Sequence, residues 1–243
     1  MTAIILAAGV GSRLAPLTDD RPKPLVEVGG KSLLLRMLER LAAVGITGKD
    51  VIVVGGYRMD VLAASLEAAG QAVTLVRNPR FDTWNNFYSI AVAREAVAGD
   101  GFVQLDGDVL FDGKVLPRLL AAPGPGALAV DVRTELDPET MKVMAAGGRV
   151  TAMAKTLDPA GCLGEYIGIL RVDAAFAPEV FAELDLFPGE GLTHEYYDHA
   201  YHRLAARGRG PLNVVDIHDC QTIEIDDRAD LDRAGRLLAV QDG

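Results

Sequence analysis

The 243-residue sequence has only two cysteines, Cys162 and Cys220. That is too few for a disulfide framework and fits a reducing compartment, so a cytoplasmic location is expected. No apolar run reaches the roughly 18 residues of a membrane span. A basic segment followed by an apolar stretch is missing near Met1, so no signal peptide is expected. Positive charge is scarce: 24 Lys and Arg face 34 Asp and Glu, a net charge of −10. That balance argues against general binding to nucleic acid. His194 and His199 are five positions apart, not the four that H-E-x-x-H requires, so zinc hydrolase chemistry is rejected. No nucleophile-and-base spacing supports a covalent mechanism. Repeats, linkers and low-complexity tracts are also missing.

What is present is a large apolar share, 49% of residues, ample for a core. Short buried strands are predicted at Ala3–Leu6, Val51–Val54, Val73–Val76 and Phe102–Leu105. Helices are predicted between them, at Ser32–Val44, Met59–Ala69 and Phe87–Val97. This alternation reads as α/β: a Rossmann-like, mostly parallel sheet with helices on both faces. The second half reads as a β-rich, substrate-binding insertion, with strands at Gly126–Arg133, Lys142–Ala145, Arg149–Ala154 and Tyr166–Val172. Helices at Ala174–Leu184 and Thr193–Arg207, a strand at Leu212–Val215 and a helix at Ala229–Val240 follow. A single domain over 1–243 is expected. Residues 1–125 would mainly bind nucleotide and 126–215 mainly the acceptor; 216–243 would carry a metal-ligand segment and the last helix.

The first strand runs straight into Leu6, Ala7, Ala8, Gly9, Val10, Gly11, Ser12 and Arg13, then Arg21-Pro22-Lys23-Pro24-Leu25. Small residues let the backbone approach an anion, and Gly9 and Gly11 permit positive φ. Successive N–H groups in such a turn form an anion-binding concavity. Arg13 and Lys23 add full charges suited to a triphosphate. The string is neither a Walker loop, which needs Lys after its second Gly, nor G-x-G-x-x-G, because Leu14 stands at the third Gly. Two acidic segments stand out. Asp106-Gly107-Asp108 follows a buried strand, where ligands bind in open α/β sheets. Glu224-Ile225-Asp226-Asp227 precedes the last helix, and Asp226 there suits either a metal or a helix N-cap. If Asp226 is the ligand, Asp227 is the expected cap.

The full string L-A-A-G-V-G-S-R-L-x(8)-K-P-L resembles the nucleotidyltransferases that join a nucleoside triphosphate to a phosphorylated small molecule. Trp84-Asn85-Asn86-Phe87-Tyr88-Ser89 resembles the Y-N-N-x-Y-S segment of bacterial phosphocholine cytidylyltransferases, a branch shared with phosphonate and inositol phosphate enzymes. The resemblance covers nearly the whole chain. It implies an enzyme in which Arg13 and Lys23 are catalytic and Asp108 and Asp226 hold Mg²⁺. Leu6, Ala7, Ala8, Gly9, Gly11, Ser12, Asn85, Asn86, Ser89 and Asp106 would bind the nucleotide, CTP being favoured. Asn85 also suits a helix cap, and Asp106 suits either a third metal ligand or a base contact. Lys142, Lys155, Glu165, Tyr166, Gly168 and Tyr197 would bind a phosphorylated or phosphonate acceptor. Two ammonium groups at Lys142 and Lys155 would repel a trimethylammonium, which sets phosphocholine apart from the expected acceptors. The other reading of these lysines is solvated strand ends. The resemblance also leaves open a sugar-1-phosphate nucleotidyltransferase using UTP, GTP or dTTP, and a nucleotide-binding regulator without turnover. A homodimer is compatible with it; nucleic acid and membrane are not expected partners.

Overall fold

Apolar residues that alternate between two faces organise the fold, which a computed structural model describes for residues 1–133 and 135–241. The strands are β1 (Thr2–Ala7), β2 (Glu27–Val28), β3 (Lys31–Ser32), β4 (Val51–Gly55), β5 (Thr74–Arg77), β6 (Phe102–Asp106), β7 (Val109–Phe111) and β8 (Gly126–Asp131). They continue with β9 (Lys142–Ala146), β10 (Arg149–Ala154), β11 (Gly164–Val172), β12 (Leu212–Asp216) and β13 (Thr222–Glu224). The helices are α1 (Leu33–Ala43), α2 (Met59–Ala68), α3 (Phe87–Val92), α4 (Arg94–Val97), α5 (Val115–Ala121), α6 (Ala177–Gly189), α7 (Asp198–Ala206) and α8 (Arg228–Gln241). None of them is long and apolar enough to cross a membrane.

Nine strands form one sheet in the order β5-β4-β1-β6-β11-β8-β12-β10-β9. The first four are parallel neighbours. From β11 onward the pairs are antiparallel except β8 with β12, so the β-rich second half extends the same sheet. In β1, Ile4 packs with α3, α6 and α7, while Ala3 and Ile5 pack with α1, α2 and α5. The period-2 pleat thus buries both faces, as a parallel sheet covered by helices requires. A third cluster, including Leu14, Val26, Leu33, Ile225 and Leu238, ties the segment after β1 to α8.

Register positions the site. Leu6 of β1 lies opposite Asp106 of β6, so both strands end side by side at one rim of the sheet. The small β7–β13 pair, with Val109 opposite Glu224, carries the C-terminal acidic segment to the same rim. These three-residue strands have no periodicity for sequence reading to detect. Helix α5 was also unexpected, since Pro117 sits inside it and reads as a breaker. The predicted helix at Thr193–Arg207 begins only at Asp198, because residues 193–197 form a loop bonded to Asn85 and Asn86.

Candidate active site

At the C-terminal rim of β1 and β6 lies a cleft of about 690 Å³. Its floor at one end is the turn Leu6, Ala7, Ala8, Gly9 and Gly11. Gly11 adopts φ 68°, and a Cβ there would approach Lys23 Cβ to 2.9 Å, so the left-handed turn and the lysine stem need a glycine. Ser12 is not in the wall; it opens the 3-10 turn Ser12–Leu14 that presents Arg13. Lys23, only 12% exposed, places Nζ 2.7 Å from both Asp108 and Asp226. Burial opposes its charge, but the two carboxylates outweigh that cost and raise its pKa. Arg13, 66% exposed, reaches Asp226 at 2.9 Å. Backbone dipoles, one sheltered cation and one exposed cation therefore converge on one end of the cleft.

Asp108, Glu224 and Asp226 each offer a carboxylate oxygen within 4.8 Å of the others. Asp108 Oδ1 is buried without a hydrogen-bond partner. Burial, with the charges of Asp108 and Asp226, pushes the Glu224 carboxyl up to about 7. Oxygen-only donors, an orphaned buried oxygen and mutual repulsion fit a hard divalent cation. Helix α8 explains how Asp226 stays available. Asp227 Oδ1 accepts from Asp230 N at 3.0 Å, and Asp230 Oδ2 accepts from the amides of Asp226 and Asp227. Asp227 is thus the cap in a reciprocal box, and Asp226 faces the cleft. Sequence reading did not assign Glu224, although its two-residue spacing from Asp226 was a usable signal. Arg233, paired with Asp230, also lines this end and was not foreseen.

The middle of the cleft is walled by Asn85, Asn86, Ser89 and Asp106. Asn85 donates to the His194 carbonyl at 2.9 Å and accepts from Asn86 N, so its amide joins two loops. Asn86 Oδ1 accepts from Tyr197 N, and Ser89 Oγ accepts from Asn78. Tyr197 donates to Asp106 Oδ2 at 2.6 Å and is hydrogen-bonded to the Tyr166 hydroxyl. Burial and the charge of Asp108 raise the Asp106 pKa, with the Tyr197 hydroxyl acting the other way. Gly168, at φ 76°, lets β11 pass the Asp106 carboxylate, which a Cβ would meet at 2.7 Å.

Lys155, Glu165, Tyr166, Gly168 and Tyr197 line the far end with Glu139, Tyr196 and Asp198. Lys142 does not. It is buried, and its ammonium donates to the carbonyls of Lys155 and Thr140. Lys142 pairs with Ala154, the last residue of β10, whereas Lys155 lies in the turn beyond it, so the two lysines do not share a strand face. Lys155 is itself paired with Glu139 at 3.3 Å. The expected repulsion of a trimethylammonium by two lysines loses its basis: one is withdrawn and the other is neutralised.

A helix-covered α/β sheet whose strand ends carry a glycine turn, two cations and facing carboxylates is the setting in which the family match falls. Residues 3–179 match the MobA-like NTP transferase domain, and the chain belongs to that family. It is 36% identical over 241 residues to CMP-5′-(3-aminopropyl)phosphonate synthase of Streptomyces rubellomurinus, covering 94% of this chain and 37% of that protein. It is 40% identical over 106 residues to choline-phosphate cytidylyltransferase of Streptococcus pneumoniae, 44% of each. The chain thus spans 37% of the length of the first relative and 44% of the second. A solved structure of CTP:phosphocholine cytidylyltransferase from Streptococcus pneumoniae superposes with a TM-score of 0.77 at 25% identity, over 98% of both chains.

Proposed function

We propose that this chain is a Mg²⁺-dependent cytidylyltransferase that joins CTP to a phosphorylated or phosphonate small molecule and releases pyrophosphate. The observation that carries this reading is Lys23, held between Asp108 and Asp226 beside the anion-binding turn. A relative named for a CMP-phosphonate product and a solved structure named for CTP and phosphocholine support the choice of nucleotide and acceptor.

The amides of the Gly9–Ser12 turn and Arg13 bind the β- and γ-phosphates. Lys23 neutralises charge that builds around the α-phosphate. An acceptor oxygen attacks the α-phosphorus, the bond from that phosphorus to the bridging oxygen breaks, and pyrophosphate leaves with the electron pair. The attacking oxygen is already anionic, so no strong general base is needed, and catalysis rests on positioning and charge neutralisation. Asp108 and Asp226, with Glu224 beside them, are the residues that would hold Mg²⁺. When bound, Mg²⁺ supplies charge neutralisation on the phosphate oxygens. Lys155 serves the acceptor. Asn85 and Asn86 border the base, and their bonds to residues 194 and 197 fix that wall to the acceptor loop.

A matrix of triphosphates against phosphorylated and phosphonate acceptors, read as pyrophosphate release, tests this. CTP with at least one acceptor should give Mg²⁺-dependent release. Release confined to UTP, GTP or dTTP with a sugar 1-phosphate would replace the reading by the sugar-nucleotide one. Nucleotide binding without release across the matrix would replace it by a silent regulator.

A further inference from the structure

At the acceptor end, the Lys155 ammonium lies 3.3 Å from Glu139 and 5.8 Å from the centroid of the Tyr196 ring. This is an ion pair seated on an aromatic face, and all three side chains line the open wall of the cleft. The side chains are 39% and 82% exposed, so the pair contributes little to stability and opens at little cost. Their backbones are held more firmly. The buried Lys142 ammonium bonds the carbonyls of Lys155 and Thr140, next to Glu139, and Asp137 accepts from the amides of Glu139 and Thr140. Two exposed opposite charges thus project from a hydrogen-bonded base.

The surroundings set what can replace them. Glu135, Glu139 and Asp198 line this end of the cleft, and among the described residues there Lys155 is the cation. A purely anionic acceptor drawn by Lys155 would leave a surplus of carboxylates facing it. An acceptor carrying both charges would not. Its anion satisfies Lys155, and its ammonium takes the place that Lys155 held beside Glu139 and the Tyr196 ring, where a cation is favoured by both.

We propose that the Lys155–Glu139 pair is the acceptor's docking pair. It is exchanged charge for charge for a zwitterionic acceptor, with Lys155 turning to the phosphate or phosphonate and Glu139 to an amine. The identity of the anion as the reacting phosphate or phosphonate rests on the cytidylyl-transfer reading. The amine specificity is separate, and Glu139 is a specificity-determining residue that the transfer itself does not need.

The test uses a matched pair, aminoethylphosphonate and ethylphosphonate, with the intact chain, CTP and Mg²⁺. Wild type should favour the aminated acceptor in kcat/KM by about tenfold or more, as a site built to bind one group rejects the analogue lacking it. Glu139→Gln should abolish that preference by weakening the aminated acceptor alone, and Glu139→Asp should restore part of it. Lys155→Met should weaken both acceptors together. Neither variant should move the KM for CTP. Equal use of the two acceptors by wild type would overturn the proposal. So would a preference that survives in Glu139→Gln, or a uniform loss there, which would make Glu139 only a support for Lys155. Calorimetric binding of the same two phosphonates, with the unreactive α,β-methylene analogue of CTP present, gives a second readout. Absence of pyrophosphate release with every triphosphate would sink the transfer reading, while amine preference in binding would still decide this one.

Discussion

The two ends of the cleft are built to different standards of rigidity. At the phosphate end, a backbone turn fixed by Gly11 packs on the Lys23 stem, and the sheltered Lys23 ammonium touches two carboxylates at 2.7 Å. At the acceptor end, a half-exposed lysine pairs loosely with an exposed glutamate above a tyrosine ring. Charge stabilisation is most effective from groups that need not move during reaction. Exposed long side chains, in contrast, adjust to what they bind. On the proposed function, the architecture separates a preorganised transfer end from an adaptable recognition end, and each can be broken without the other.

The largest expected effect is at the phosphate end. Lys23→Ala should lower kcat by on the order of 10²-fold or more, the scale of losing one preorganised donor, with the acceptor KM little changed. Near-normal pyrophosphate release from the folded variant would remove Lys23 from the transfer step. Asp108→Asn and Asp226→Asn come next. Each should raise the Mg²⁺ concentration required and cost about tenfold or more in turnover, since the ion carries transition-state charge. Titration of rate against Mg²⁺ checks this, and unchanged curves would contradict it.

At the acceptor end, the larger measurable effect of Asp198 is on stability. Burial pushes its pKa up from 3.8 to about 6, against the pull of Lys155. The folded state then binds the proton more tightly than the unfolded chain. The resulting stabilisation is full below about pH 4 and is lost as pH rises through about 6. Asp198→Asn should therefore stabilise the protein at pH 7 to 8, by at most roughly 3 kcal/mol at 1.36 kcal/mol per pKa unit, and have little effect near pH 4. Denaturant midpoints at both pH values decide it, and a gain independent of pH would refute it. The smallest effect belongs to the cap. Asp227→Ala should cost about 1 kcal/mol of stability and keep turnover below the melting transition. Together with Asp226→Asn, which should do the reverse, it separates two adjacent aspartates by role.

The same contrast governs what the sequence makes legible. The phosphate end comes from contiguous strings, Leu6–Arg13 and Lys23–Leu25, so its residue types and spacing are visible before any fold is known. All of its expected residues except Ser12 lie in the cleft wall. Asp226 against Asp227 could not be separated by spacing alone, because the answer lies in which carboxylate receives the Asp230 amide. The spacing of Glu224 from Asp226 was visible, but its proximity to Asp108 was not, because that depends on the three-residue β7–β13 pairing. The acceptor end assembles loops around residues 135–141, 155, 165–168 and 194–198. There, Lys142 and Lys155 looked equivalent until the β9–β10 register placed Lys142 within the sheet and Lys155 in the turn beyond its last pair. The parallel half of the sheet was readable from buried apolar runs, and the antiparallel pairing of β11 with β6 and β8 was not, since strand order leaves no local signal.

Phosphorus NMR of the chain incubated with CTP, Mg²⁺ and an aminoalkylphosphonate tests the central claim most directly, because it follows the bond that forms and the bond that breaks. The account predicts that the α-phosphorus signal of CTP shifts to a mixed anhydride coupled to the phosphonate phosphorus, with an equal amount of pyrophosphate. Loss of CTP to CMP or CDP without that coupling, or unchanged CTP with every phosphate and phosphonate acceptor supplied, would contradict it.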